Sequence, residues 1–246
     1  MYKLPILNIM IEAFWYPWKY KVQFFNALAL PVVLVISIAA IWTEFKPEGR
    51  TLNLFIYIIY FLSVSFFAIS CHRFILIGAG NKVSQSYVLM MKRIIAFSLL
   101  GIFVYILAGI PFAVILTVAM NILPDSNLVS SSHNLTADNF NWVKLVLMLP
   151  FGYFVGRLSL VLPATAVDAT TSFRWSWQAT KNNGVRMLVL IGVLPWVTTI
   201  LLDLLWRENG TMFEYVFLSI LGYLVVAVEV FILSLAFKEF YRAEQN

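Results

Sequence analysis

The sequence predicts an all-α fold, a polytopic membrane bundle of six transmembrane helices with amphipathic interfacial helices on the cytoplasmic side. Composition is the first reason: hydrophobic residues make up 61% of the 246 residues and charged residues only 12%, with a mean hydropathy of +0.86. These values lie far from those of globular domains. The second reason is that the apolar residues fall into six runs of about 20 residues, the length that spans a bilayer. The chain, 1–246, is therefore predicted to be a single transmembrane domain.

Each apolar run is predicted to be one helix, because a helix satisfies its own backbone hydrogen bonds and lipid offers no other partners. Ionisable residues are rare inside the runs, but the fourth and sixth each carry one near the middle, Arg157 and Glu229. The intervening segments are polar and mostly short, which is typical of loops. The predicted spans are 22–43, 51–76, 94–123, 142–167, 187–206 and 213–237.

The distribution of lysine and arginine predicts the orientation of the spans, since basic residues in short loops are retained on the cytoplasmic side. One side collects Lys3, Lys19, Lys21, Arg73, Lys82, Lys92, Arg93, Arg174, Lys181, Arg186, Lys238 and Arg242. The other side has Lys46, Arg50, Lys144 and Arg207. Both termini are therefore expected in the cytoplasm.

Three segments, 6–20, 84–92 and 172–182, are predicted to be helices at the level of the lipid headgroups. Each combines aromatic side chains with lysine or arginine, as interfacial helices do, and Ser172 is placed to cap the third. The alternative is that they only connect and anchor the spans. The candidate lipid-headgroup residues are Trp15, Trp18, Lys92, Arg93, Trp175, Trp177, Lys181 and Arg186.

The same order of elements suggests that one unit, an interfacial helix followed by two spans, occurs three times along the chain. In that interpretation Arg73, Arg157 and Glu229 occupy equivalent positions, each on a span that runs toward the cytoplasm. Any membrane protein with alternating helices has some periodicity of this kind. A true repeat and an incidental one therefore both remain open.

Arg157 and Glu229 are predicted to form an intramembrane ion pair. A charge at the centre of a span costs about 2.5–3.5 kcal/mol on insertion scales, so such residues normally find partners inside the bundle. Arg157 lies 15 residues from Trp142, and Glu229 lies 16 from Phe213, which predicts similar depths. The pair could fix how two helices pack. It could also bind a proton, an anion or a lipid headgroup.

Gly152 and Gly156 form a Gly-x-x-x-Gly pattern directly before Arg157. This spacing removes side-chain bulk from one helix face, so that a second helix can approach closely. Pro150 and Pro163 remove backbone donors in the same span, which predicts kinks. We therefore expect tight helix packing at the two glycines.

Catalytic, metal and cofactor sites are not predicted. The two histidines, His72 and His133, are expected on different sides of the membrane, and Cys71 is the one cysteine. The sequence has no zinc-protease, phosphate-loop or nucleophile-elbow motif. Its net charge of +5 comes without a basic cluster interleaved with stacking aromatics, so nucleic acid is not an expected partner.

The run Arg157-Leu-Ser-Leu-Val-Leu-Pro163-Ala-Thr-Ala-Val-Asp168, with Ser176-Trp177 and Thr180-Lys181-Asn182 after it, resembles the best-marked stretch of the YciC-like family of six-span bacterial inner-membrane proteins. The arginine, proline and aspartate pattern is also similar to the membrane portion attached to some glycerophosphodiester phosphodiesterases. The resemblance implies a bacterial inner membrane and implies no reaction.

Two functions are consistent with these features. The first is a non-enzymatic accessory or structural subunit that packs against membrane lipids or other membrane proteins, favoured by abundant interfacial aromatics and scarce polar chemistry. The second is a small-solute or lipid transporter that uses the Arg157 and Glu229 pair, favoured by the proline-containing spans. A stoichiometric partner would indicate the first function, and solute movement by the reconstituted chain would indicate the second.

Overall fold

The structure, a computed structural model, describes residues 3–45, 50–78, 87–122, 142–205 and 212–245. These residues are almost entirely helical, and none of them forms a β-strand. The helices are α1 Ile6–Lys19, α2 Lys21–Phe45, α3 Arg50–Leu76, α4 Tyr87–Ile122, α5 Trp142–Leu158, α6 Val161–Ala166, α7 Phe173–Ala179, α8 Gly184–Met187, a π-helix Leu188–Val193, α9 Leu194–Leu205 and α10 Met212–Gln245.

Within the described ranges, six helical stretches are long and apolar enough to cross a membrane. They are Lys21–Ile38, Thr51–Leu76, Tyr87–Ile115, Met148–Ala166, Gly184–Leu205 and Val216–Glu244. Each overlaps one predicted span, so the fold class of a six-helix, multi-pass membrane bundle is confirmed. The predicted interfacial helices at 6–20 and 172–182 correspond to α1 and α7.

The predicted interfacial helix at 84–92 is wrong as a separate element. Residues 84–86 lie outside the described part of the chain, and from Tyr87 onward the helix continues without a break into the third span. The physical reason is that no glycine or proline interrupts backbone hydrogen bonding between Tyr87 and Ile94. The basic pair Lys92-Arg93 therefore lies inside α4 and not at a junction.

The fourth span is broken, as the prolines predict, into α5 and α6. Pro163 has no N–H for the carbonyl of Ser159, and its ring would crowd that carbonyl. Leu162 instead donates its backbone N–H to the Ser159 carbonyl at 2.9 Å, a three-residue spacing that ends the regular α-helix. The direction of the chain can therefore change immediately after Arg157.

One end of the bundle, called the basic end here, gathers α1, α7, α8 and the last turns of α10. The ring of Tyr16 on α1 contacts Phe74 on α3 at a centroid distance of 5.4 Å and Phe231 on α10 at 6.2 Å. The backbone N–H of Leu4 donates to Asn183 Oδ1 at 2.9 Å. The segment before α1 is thus held against the start of the fifth span.

Burial within the chain differs greatly between spans. In the most apolar 18-residue stretch of each span, half of the residues are buried in Met148–Ala166, compared with 6% in Gly184–Leu205. Large apolar side chains cover the outside of α2, α4 and α9. An apolar exterior of this extent indicates hydrocarbon as the solvent of the helices, since water would penalise it.

Candidate functional site

Arg157 is enclosed at the basic end by three hydrogen-bond partners and one aromatic ring. Its Nε donates to Thr180 Oγ1 at 3.1 Å, Nη1 donates to the Tyr153 hydroxyl at 3.0 Å, and Nη2 donates to the Trp177 carbonyl at 2.5 Å. The guanidinium carbon lies 3.5 Å from the centroid of the Trp177 indole, a cation–π contact. Arg157 is only 5% exposed, so these contacts replace its hydration.

Helix α7 supplies most of this enclosure because it folds back beside the end of α5. Ser172 caps α7 as predicted, accepting the Trp175 N–H at 3.1 Å. Ser176 Oγ then donates to the Arg157 carbonyl at 2.6 Å, and Thr180 Oγ1 donates to the Ser176 carbonyl at 2.8 Å. A short capped helix therefore positions every acceptor that Arg157 uses apart from Tyr153.

The close packing predicted at Gly152 and Gly156 is confirmed, and the partner is the start of the fifth span. A Cβ added to Gly156 would lie 2.9 Å from the carbonyl oxygen of Met187. A Cβ added to Gly152 would lie 3.1 Å from the Cα of Gly192. The contacts run antiparallel, and they bring the two backbones together beside the enclosed arginine.

The predicted ion pair between Arg157 and Glu229 is wrong: in the structure each residue has other partners. Glu229 Oε1 lies 2.5 Å from Thr198 Oγ1 on α9. Arg157 lies at the level of α7, where Trp175 contacts Phe237 of α10 at 5.8 Å. Because Glu229 precedes Phe237 by eight residues, it lies about 12 Å farther from the basic end. Equal residue counts from the helix starts did not give equal depth.

A second cluster at the basic end, the arginine–aspartate cluster, consists of Arg73, Arg93 and Asp168. Arg93 Nε donates to Asp168 Oδ1 at 2.8 Å, and Nη2 donates to Oδ2 at 2.5 Å, which is a bidentate pair. These hydrogen bonds from Arg93 lower the pKa of the Asp168 carboxyl. The carboxylate is therefore ionised over the whole neutral range.

Arg73 is the buried member of this cluster. Its Nη1 donates to the Ala166 carbonyl at 2.9 Å, and the residue is 8% exposed. Its Nε is buried and has no hydrogen-bond partner among the residues that the structure describes. Both Arg93 and Asp168 lie close enough for their charges to act on Arg73. A buried charged donor without an acceptor is costly, and it marks this cluster as a candidate ligand site.

The backbone after α6 brings Asp168 to this position. Asp168 has a φ of 60°, and the N–H groups of Asp168 and Ala169 donate back to the carbonyls of Thr165 and Ala164. This is the Schellman arrangement, in which glycine is usual at the left-handed position and aspartate is tolerated. Asp168 occupies a position where glycine is usual, and it therefore adds a carboxylate to the cluster that glycine could not supply.

Sequence reasoning missed this cluster and a third buried contact, between His72 and Ser234. His72 Nδ1 lies 2.7 Å from Ser234 Oγ, which donates its single proton to the Val230 carbonyl at 2.8 Å. The histidine Nδ1 must then be the donor to Ser234. The signal available in sequence was the position of His72 and Arg73 at the end of an otherwise apolar span.

Four of the candidate headgroup residues are exposed and have no partner described above. Trp15 and Trp18 are 61% and 65% exposed, and Lys92 and Lys181 are also exposed. For these four side chains the prediction of lipid contact stays a prediction.

The other four candidates have partners within the chain, and for them too the prediction of headgroup contact stays a prediction. Arg93 pairs with Asp168, and Trp177 lies under Arg157. Trp175 Nε1 donates to Glu244 Oε2 at 2.5 Å, and Arg186 Nη1 donates to the Leu4 carbonyl. For Trp175, Trp177 and Arg186 the reason is that α7 and α8 pack on the bundle, so their inner faces meet protein.

Among the described residues, no three His, Cys, Asp or Glu side chains are grouped as a metal site requires. The resemblance to the YciC-like family stays a prediction. No family model, curated protein or solved structure matches the chain.

Proposed function

We propose that the chain is a non-enzymatic accessory or structural subunit of a bacterial inner-membrane assembly. One observation carries the proposal: no residue of α9, Leu194–Leu205, is buried by the rest of the chain, whereas half of the residues in an 18-residue stretch of Met148–Ala166 are buried. A helix that its own chain leaves open on most sides has a large surface for lipids or for the helices of another protein.

The exposed side of α9 has features that suit a protein partner. Thr199 and Asp203 are both exposed and are four residues apart, so they lie on one face of the helix. Leu201 and Leu204 nearby are 56% and 61% exposed. Asp203 lies two residues before the end of α9, where a donor from a partner would add a charge-assisted hydrogen bond to the apolar contacts of the two leucines.

The enclosed arginine supports a structural role at the basic end. Every nitrogen of the Arg157 guanidinium already has an acceptor within the chain, and the residue is buried. The transport alternative depended on a pair between Arg157 and Glu229, and those side chains have separate partners. That alternative therefore gains no support from the contacts of these residues.

The partner is tested by photo-crosslinking in native membranes. A photoreactive amino acid at Leu201 or Leu204 is expected to give one discrete protein adduct, because these α9 side chains face outward. The same probe at Leu190, which is buried, serves as the unreactive control. The same probe at Phe25, which is 64% exposed on α2, measures the adducts that arise from random collisions in the membrane. Adducts of lipid mass alone at both α9 positions would contradict the proposal.

The proposed orientation places both termini and the basic end in the cytoplasm. The uneven distribution of lysine and arginine supports it, and Arg73, Arg93 and Arg186 all lie at the basic end.

Cysteine accessibility tests the orientation, and the chain suits the method because its one cysteine, Cys71, is buried. Lys181→Cys, at an exposed position, is expected to react with a membrane-impermeant maleimide only after the membrane is opened. Ser131→Cys, in the predicted outer connection and outside the described residues, is expected to react in intact cells. The reverse labelling pattern would refute the orientation, and labelling of both variants in intact cells would refute the membrane topology.

A further inference from the structure

An apolar groove, called the α3–α4 groove here, runs along the outside of these two helices. It encloses about 550 Å³, within the usual range of ligand sites. Its outer wall is open, since Tyr105 is 61% exposed and Ile106 is 53% exposed. The remaining lining is mostly aromatic and aliphatic, and it includes Phe61, Ala68, Phe97, Gly101 and Leu162.

One end of the groove lies one to two helical turns from the arginine–aspartate cluster on each of three helices. On α4, Arg93 precedes the groove residue Phe97 by one turn. On α3, Arg73 follows the groove residue Ala68 by five residues. On α6, the carbonyl that Arg73 binds belongs to Ala166, which is four residues beyond the groove residue Leu162. At 1.5 Å per residue, the backbones of Arg73 and Arg93 therefore lie about 6–8 Å along their helices beyond the end of the groove.

The cluster has an excess of positive charge that its own residues do not balance. Two guanidinium groups share one carboxylate, and Arg73 Nε has no acceptor in the described part of the chain. The Asp168 side chain is 56% exposed, so it lies at the rim, where an incoming anion can replace it. Guanidinium groups match the planar spacing of phosphate oxygens, which makes phosphate the best-suited anion.

We propose that one anionic phospholipid binds here, with its phosphate on Arg73 and Arg93 and one acyl chain in the α3–α4 groove. The dimensions fit a lipid that stays in its leaflet. The groove extends from Phe97 to Ile106, nine residues or about 14 Å of helix, and half of a bilayer core is about 15 Å. This site goes beyond the proposed accessory role and does not depend on it.

The test is thermal unfolding of the purified full chain in a non-ionic detergent with added lipid. Dioleoylphosphatidylglycerol is expected to raise the unfolding midpoint, because a ligand that binds the folded state stabilises it. Dioleoylphosphatidylcholine has the same acyl chains and no net charge, and it is expected to bind about tenfold more weakly, or 1.4 kcal/mol. Inorganic phosphate at the same concentration is expected to produce no shift, because it lacks the acyl chain.

Substitutions at the headgroup end are expected to act in opposite directions. Arg93→Gln removes a charged donor, and the affinity for dioleoylphosphatidylglycerol is expected to fall by about tenfold. Asp168→Asn keeps a residue that tolerates the left-handed backbone and removes the competing carboxylate, so its affinity is expected to increase. Each shift is measured from the lipid-free midpoint of the same variant. Should Arg93→Gln not fold, Asp168→Asn still tests the headgroup contact.

The groove has a matched pair of glycines on α4. A Cβ added to Gly101 or to Gly109 would meet no atom within 4 Å, but only Gly101 lines the groove. Gly101→Leu is therefore expected to weaken lipid binding by about tenfold or more, and Gly109→Leu is expected to leave it unchanged. Equal binding of the charged and uncharged lipids, stabilisation by inorganic phosphate alone, or equal affinities of the two leucine variants would each overturn the proposal.

Discussion

Replacing Arg157 by methionine is expected to lower the free energy of unfolding by about 3–5 kcal/mol, since each hydrogen bond to a charged group contributes about 1.5–3 kcal/mol. Methionine leaves the Trp177 carbonyl without its charged donor, and Thr180 and Tyr153 lose theirs too. It also removes the cation–π contact with the indole. The whole junction between α5 and α7 depends on this one side chain.

The matched control is Arg174→Met on α7, where the arginine is exposed. Its effect is expected to stay within about 0.5 kcal/mol. Arg157→Lys is expected to fall between the two, because an ammonium keeps the charge and cannot reach three divergent acceptors. Equilibrium unfolding in mixed micelles measures all three variants. If the two methionine variants were equally stable, Arg157 would not hold α7 in place.

Replacing Gly156 by alanine is expected to destabilise the fold by about 1–3 kcal/mol, the usual range for overpacking. The new Cβ would lie 2.9 Å from the carbonyl oxygen of Met187 and 3.1 Å from its carbonyl carbon. Both are backbone atoms, so they cannot move aside as a flexible side chain would. Helix α8 and the π-helix would have to shift away from α5 together.

Gly109→Ala in α4 is the control, and its expected change in stability has the opposite sign. No atom lies within 4 Å of the Cβ position there, so alanine is expected to stabilise the helix by about 0.5–1 kcal/mol through its lower backbone entropy. The same unfolding assay measures both variants. If Gly156→Ala were as stable as Gly109→Ala, the close approach of α5 to Met187 would be refuted.

The six spans could be predicted because one physical requirement, internal hydrogen bonding in hydrocarbon, acts on every residue of a long apolar run. The close packing at Gly152 and Gly156 was predictable for a related reason, since the absence of a side chain is itself visible in the sequence. Their partner residues were not predictable, because the spacing on one helix does not identify the helix that approaches it.

The partners of charged residues depend on chain direction, which hydropathy does not give. Arg157 was expected to meet Glu229 because both were counted along straight helices. Pro163 instead ends α5 soon after Arg157, and α7 returns to enclose it. The pairing of Arg93 with Asp168, 75 residues later, is likewise determined by a turn, the one that follows α6.

The π-helix at Leu188–Val193 preserves the rotational phase of everything beyond it. Its i→i+5 hydrogen bonds take one more residue per turn than an α-helix, so the wide turn accommodates that residue without changing the rotational phase of α9. The glycine contact on α5 lies before or within the wide turn, while Thr198 lies after it. A single-codon deletion there is therefore expected to convert the wide turn to α-helix and keep the Thr198 hydroxyl on Glu229, whereas a deletion at the start of α9 would rotate the rest of that helix by about 100° and exchange which stripe of the fifth span meets lipid.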